Sequence, residues 1–189
     1  MNTLQILFTV SMAAWFLSEF LYKNMLKSTK SDKKDKDKST LNILWLAIPF
    51  SIGASIILSY NTKLPIIKAD WIMYVGELFI ILGIVLRFII IRSLGKYFTV
   101  DVTIRENHKI KKEGFYKYVR HPSYALSLLT SLGLGLYLNN WWSLLFAFIP
   151  PFLAFAYRIK VEELALVEQF GDEYIEYRKN TKKIIPFIY

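Results

Sequence analysis

Eight side chains have the chemistry to bind an anion, accept a cation or move a proton: His108, Tyr116, Arg120, His121 and Tyr124, then Arg158, Glu162 and Glu163. The chain has no cysteine and only two histidines, which excludes thiolate nucleophiles, disulfides and a metal cage built from histidine alone. What remains is guanidinium, imidazole, phenol and carboxylate chemistry. An arginine can hold a carboxylate with two parallel bonds, and a glutamate can accept bonds from an ammonium or a hydroxyl. Arg158 and Glu162 are four positions apart and share a helical face, whereas Glu163 is turned roughly 140° from Arg158. From charges alone, this is equally an ordinary ion pair at a helix end.

The elements that must position these groups are read from hydropathy. The 189 residues are 54% apolar and 16% aromatic, yet the formal charge is +9, so apolar and basic residues must be segregated along the chain. Segments 4–22, 41–60, 71–91, 124–138 and 141–157 are nearly free of charge. A hydrocarbon core about 30 Å thick needs roughly 20 helical residues, which the first three segments supply. The last two are shorter and are separated only by Asn139 and Asn140, so they read as a tight helical hairpin. The expectation is an all-α integral membrane protein of about five transmembrane helices, in an inner or plasma-type membrane. The first segment has no basic residues before it and runs past any cleavage point, so it reads as a retained helix and not a signal peptide.

Lysines and arginines give the orientation. Seven lie between the first two spans, eight from Arg92 to Arg120 and six after the fifth span, against Lys63 and Lys68 in the opposite connections. Cytoplasmic loops carry that excess, so the N-terminus is expected outside and the C-terminus inside. Because segments 124–138 and 141–157 form a hairpin, the start of one and the end of the other reach the same, cytoplasmic, face. All eight reactive groups then converge there.

The chain accordingly divides into 1–91, three spans with a basic loop at 23–40, and 92–189, which holds the reactive residues. The stretch 27–40 is a solvated linker by composition, and its interspersed Asp32, Asp35 and Asp37 and lack of aromatics argue against nucleic acid as a partner. Within 92–123, Thr99 to Ile104 and His108 to Lys111 alternate with strand period around Glu106-Asn107, which predicts a small hairpin over the membrane surface. After span five, Leu164, Val167, Phe170, Tyr174 and Tyr177 recur every three or four residues, predicting an amphipathic helix over 158–178. Inside the spans, Arg87 is expected to snorkel to the cytoplasmic surface and Glu77 to reach water near the other. Pro150-Pro151 should kink span five.

The text HKIKKEGFYKYVRHPSY (108–124), followed by RIKVEELALVEQFGDEYIEYRKNTKKIIPFI (158–188), resembles the isoprenylcysteine carboxyl methyltransferase family. The resemblance covers roughly 95–188. Its core is Arg120-His121-Pro122-x-Tyr124, then Glu162-Glu163, then Phe170-Gly171-x-x-Tyr174. It implies a membrane methyltransferase that uses S-adenosylmethionine in a cytoplasmic pocket. His108, Lys109, Ile110 and Lys111 would line the cofactor largely through backbone groups. Tyr116, Arg120, His121, Pro122, Ser123 and Tyr124 would close around it, with Glu162 completing the cofactor site. Arg158 and Glu163 would be the catalytic pair, Arg158 holding the acceptor's carboxylate. The chain departs from the family in carrying Leu126 where a glycine is usual, and in a more basic segment after His108.

The implied acceptor is a lipid-modified or otherwise amphiphilic molecule that approaches from the bilayer. A carboxylate is ionised at neutral pH and needs no base, whereas the amine headgroup of a phospholipid-type N-methyltransferase would need Glu162, Glu163 or His121 as one. Membrane sterol reductases, which use NADPH, share a similar C-terminal pattern, and a non-enzymatic membrane protein with a charged end is the third reading.

Overall fold

The computed structural model describes residues 2–25, 38–94 and 110–185, and within them the regular elements are helices. In chain order these are α1 (Thr3–Met25), α2 (Lys38–Asn61), α3 (Trp71–Leu94), a single 3-10 turn (Gly114–Lys117), α4 (Pro122–Tyr137), α5 (Trp141–Phe170) and α6 (Asp172–Asn180). Four of them, α1, α2, α3 and α5, are long and apolar enough to cross a membrane. Their outward faces carry exposed Leu17, Leu46 and Leu153, which suits lipid as the surrounding solvent. The 16 residues of α4 rise about 24 Å, short of a full hydrocarbon core, and α4 completes the bundle between α3 and α5.

Without water to drive apolar groups together, helices in lipid associate through close backbone approach and hydrogen bonds, and both are present. A Cβ at Gly76 of α3 would lie 2.3 Å from the Tyr137 nitrogen of α4, and one at Gly83 would lie 2.8 Å from the Leu126 carbonyl. Gly83 thus lets α3 approach the α4 backbone closely at Leu126 and Thr130. Ser55 of α2 and Ser143 of α5 each donate to the other's carbonyl, at 3.0 and 2.7 Å, which locks α2 to α5.

The α4–α5 corner is tied to the connection between α2 and α3. Asn139 accepts from the nitrogens of Ile66 and Ile67 at 3.1 and 3.2 Å and donates to the Ile67 carbonyl at 2.9 Å. Asn140 caps α5 by accepting from the Ser143 nitrogen, and donates to the Thr62 carbonyl. These bonds hold one end of the bundle together. The ends of α1, α3 and α5 and the starts of α2 and α4 gather at the other, which carries the basic residues.

Several expectations change. The amphipathic helix 158–178 is not one element: α5 runs unbroken from Trp141 through the two prolines to Phe170. Gly171, at φ 53°, then turns the chain into α6. Only glycine adopts that conformation without strain, so the break is set by residue 171. Glu77 does not reach water; it is 2% exposed on α3, and neither of its carboxylate oxygens has a hydrogen-bond partner among the described residues. Arg87 does not snorkel, since Glu19 of α1 binds it inside the bundle. The surface hairpin falls mainly on residues outside those described; Ile110 and Lys111, which are described, are irregular.

Candidate active site

Arg120, His121 and Pro122 sit where the irregular segment enters α4. Pro122 takes the first helical position, where its missing N–H costs nothing, and His121 is the cap. The backbone just before it is pinned by the end of the chain: the Arg120 and His121 nitrogens donate to the carbonyls of Lys182 and Lys183 at 2.8 and 3.0 Å, and the Lys182 nitrogen donates to Tyr118 at 3.0 Å. A short parallel bridge, Val119 to Lys182, thus brings the C-terminal segment against the start of α4.

The Arg120 guanidinium is committed to this junction. Its Nε donates to Glu163 at 2.8 Å, and its Nη1 donates to the carbonyls of Arg178, at 3.2 Å, and of Thr181. His121 Nε2 lies 3.4 Å from the same Glu163 oxygen, and Arg178 reaches the other oxygen at 3.7 Å. Glu163 therefore meets three nitrogen-bearing side chains on the helical face turned away from Arg158. A buried carboxylate compensated in this way is a structural anchor, and breaking it leaves uncompensated charge.

The opposite face of the same turn is arranged differently. Arg158 is 3% exposed, and its Nε donates to the Tyr124 hydroxyl at 2.9 Å, while that hydroxyl donates to Glu162 at 2.8 Å. The expected Arg158–Glu162 spacing is thus spanned by a phenol, giving a chain of arginine, tyrosine and glutamate. Arg158 Nη1 also donates to Thr40 at the start of α2, at 3.2 Å. His121 lies with its Nδ1 3.7 Å from Glu162, and its ring is parallel to Tyr124 at a centroid distance of 5.6 Å. Tyr124 in turn stacks on Phe155 at 5.0 Å.

That stack leads from the polar layer into an apolar cavity of about 220 Å³ between the helices. Tyr124 and Arg158 close its inner end, Leu44, Ile48 and Phe155 form its walls, and the exposed Phe16, Phe20 and Trp45 stand at its rim on the outside of the bundle. A charged, hydrogen-bonded end joined to an apolar slot is the shape that an amphiphile requires.

On the polar side, Tyr116 is buried under α6, and its carbonyl accepts from the Tyr177 hydroxyl at 2.7 Å. Lys111 Nζ lies 5.9 Å from the Tyr116 ring centre and bonds the Ser93 carbonyl at 2.5 Å. Burial pushes the Tyr116 and Tyr174 phenols above their ordinary range and that of Tyr177 up to about 12, so all three remain donors at any working pH. The Tyr174 hydroxyl is buried without a partner among the described residues. Buried polar groups are nearly always satisfied, so this hydroxyl, which feels the charge of both glutamates, is a donor that an acceptor beyond the described residues would complete.

The described sequence candidates therefore separate into two groups. Tyr124 and Arg158 line the cavity, Glu162 and His121 meet Tyr124 beside it, Pro122 and Ser123 are buried in the first turn of α4, and Lys111 lies near the Tyr116 ring. Arg120 and Glu163 form the anchor to the C-terminal segment. His108 and Lys109 lie outside the described residues. Thr40 and Glu19 were not visible as site residues in the sequence, because Thr40 is one of several hydroxyl residues on α2, Glu19 is a lone acid on α1, and nothing local indicates what either meets. Tyr174 belongs to the quoted motif but had no assigned role. Among the described residues no group of three metal-binding side chains exists.

Residues 75–168 match the model of the isoprenylcysteine carboxyl methyltransferase family, so the likeness begins in α3, earlier than the motifs indicated. Protein-S-isoprenylcysteine O-methyltransferase B of Arabidopsis thaliana is 35% identical over 158 residues, covering 80% of each chain. The corresponding Schizosaccharomyces pombe enzyme is 38% identical over 112 residues, 58% of this chain and 48% of its own. Among solved structures, the eukaryotic intramembrane Ras methyltransferase, an isoprenylcysteine carboxyl methyltransferase, superposes with a TM-score of 0.70 at 26% identity, over 96% of this chain and 67% of that one.

Proposed function

This chain belongs to the isoprenylcysteine carboxyl methyltransferase family and is an S-adenosylmethionine-dependent methyltransferase of the membrane, and from that premise we propose that it methylates a carboxylate of a lipid-modified or amphiphilic acceptor at the cytoplasmic end of its bundle. The observation that carries this reading is the chain of Arg158, Tyr124 and Glu162 at the junction of the apolar cavity with the polar layer.

The donor set suits the cofactor. An ammonium and ribose hydroxyls need acceptors, which Glu162 and the imidazole of His121 offer. The cofactor's polar acceptor atoms need donors, and the Tyr174 hydroxyl, which has no partner among the described residues, would be one. In this reading Ile110, Lys111, Tyr116, Pro122 and Ser123 would line the cofactor together with His108 and Lys109. S-adenosylmethionine supplies an activated methyl group and a neutral leaving group.

The remaining work falls to this chain's own residues. The acceptor's tail enters the cavity from the lipid side, past Phe16, Phe20 and Trp45. Arg158, held in place by Tyr124 and Thr40, receives the carboxylate. That group is ionised at neutral pH, so no residue has to remove a proton, and the gain comes from alignment and from excluding water. In this reading Arg158 is catalytic, and Glu163 positions the machinery by anchoring Arg120 and His121.

The test uses the purified full chain with radiolabelled S-adenosylmethionine, offered N-acetyl-S-farnesylcysteine or its carboxamide. Methylation of the acid and not the amide is expected. Transfer to a phosphatidylethanolamine headgroup instead would replace carboxyl methylation with amine methylation. S-adenosylhomocysteine that failed to bind in titration calorimetry would remove the cofactor assignment.

A further inference from the structure

The cavity wall holds a second guanidinium. Arg87 of α3 lies on the same cavity as Arg158, and both of its terminal nitrogens are engaged by Glu19 of α1: Nη1 with Oε1, and Nη2 with Oε2 at 3.3 Å. This two-bond grip is the one a guanidinium offers any carboxylate. Glu19 and Arg87 are only 26% and 13% exposed, so the pair is largely withdrawn from water, and removing its anion would leave a buried cation seeking another. Two arginines and one glutamate thus face one cavity, and the glutamate occupies the fork of one of them.

α1 itself is lightly held. Its contacts are mainly with α3 and are far fewer than those joining α3 to α4 or α2 to α5. Phe16, one turn before Glu19 on α1, and Phe20, the residue next to it, form part of the exposed rim of the cavity. The helix that carries the seated carboxylate is therefore also a wall of the opening toward lipid.

We propose that Glu19 is a built-in competitor for the acceptor's carboxylate: it occupies the Arg87 fork on the acceptor cavity and sets how strongly an anionic headgroup is held there. This rests on the reading of the cavity as the acceptor site. Glu19 weakens capture of anionic amphiphiles in general, so that binding depends on reaching Arg158 as well. The affinity of an uncharged headgroup does not depend on that competition.

The experiment compares N-acetyl-S-farnesylcysteine with its carboxamide as ligands for the full chain in detergent with S-adenosylhomocysteine present, by titration calorimetry. In Glu19→Gln the ratio of acid to amide affinity should rise about tenfold, with the amide itself nearly unmoved. Glu19→Asp, which draws the carboxylate back by one methylene, should raise the ratio by a smaller factor, and it decides the matter if the glutamine variant does not fold. A purely structural tie between α1 and α3 would instead weaken acid and amide alike. A ratio that stays the same or falls overturns the proposal. If the unaltered chain binds neither ligand, the acceptor reading of the cavity fails instead; if it binds both but Glu19 leaves the ratio unmoved, only the competitor role is lost.

Discussion

The division of labour between two adjacent glutamates follows from helical geometry. Glu162 and Glu163 point to different faces of α5, so one joins Tyr124 and the cavity while the other anchors Arg120 and His121. Arg158→Lys keeps the charge but loses the planar fork, so turnover of a carboxylate acceptor should fall tenfold or more while titration with S-adenosylhomocysteine is nearly unchanged. An arginine whose only task were to place a positive charge would tolerate that change. Tyr174→Phe removes a buried hydroxyl that has no partner among the described residues, so its melting temperature should hold or rise slightly. S-adenosylhomocysteine should then bind the variant severalfold more weakly, as expected for one lost hydrogen bond of about 1 kcal/mol. Unaltered binding would take Tyr174 out of the site.

At the scale of elements, the site depends on how closely α3 approaches α4, since α4 carries Tyr124 and α3 backs it. Gly76→Val would drive a side chain into the Tyr137 backbone, which cannot retreat as a flexible side chain can. Overpacking of this kind costs about 1–3 kcal/mol, and the variant should unfold several degrees lower in a detergent melt. Gly53→Ala is the matched control: a Cβ there meets nothing within 4 Å, so stability should be unchanged or slightly raised by the gain in helix propensity. The C-terminal segment is a second such element. Arg120 and the bridge from Val119 to Lys182 hold it against the start of α4, so the RHP motif shapes the site through backbone placement as much as through its side chains.

For the whole molecule, orientation is the testable property. A reporter fused after Tyr189 should lie in the cytoplasm, and one inserted between Asn139 and Asn140 on the other side, because the bundle places Lys183 and Asn139 at opposite ends and the basic end is expected inside. A cytoplasmic signal from the second fusion would invert the molecule and separate the site from the cofactor supply. The reaction's pH profile is a property of the assembled site as well. With an ionised carboxylate as nucleophile and no base to titrate, the rate should be nearly flat over about pH 6 to 9, whereas an amine acceptor would give a rate that climbs as its proton is lost.

The apolar segments and the set of reactive residue types were legible in the sequence because each depends on local composition: roughly twenty apolar residues span a bilayer whatever their partners. Periodicity also separated Glu162 from Glu163. The break at Gly171 was missed, since amphipathic spacing continues through it and only the backbone turn at that residue divides α5 from α6. Tertiary structure alone decided the partners. Arg87 looked like a snorkelling residue until α1 brought Glu19 to it, and the Arg158–Glu162 spacing looked like a direct ion pair until α4 placed the Tyr124 hydroxyl between them. A charge inside a membrane must be compensated, which the sequence states; which distant helix compensates it is fixed by packing, and Gly76 and Gly83 against α4 and Ser55 against Ser143 set that packing.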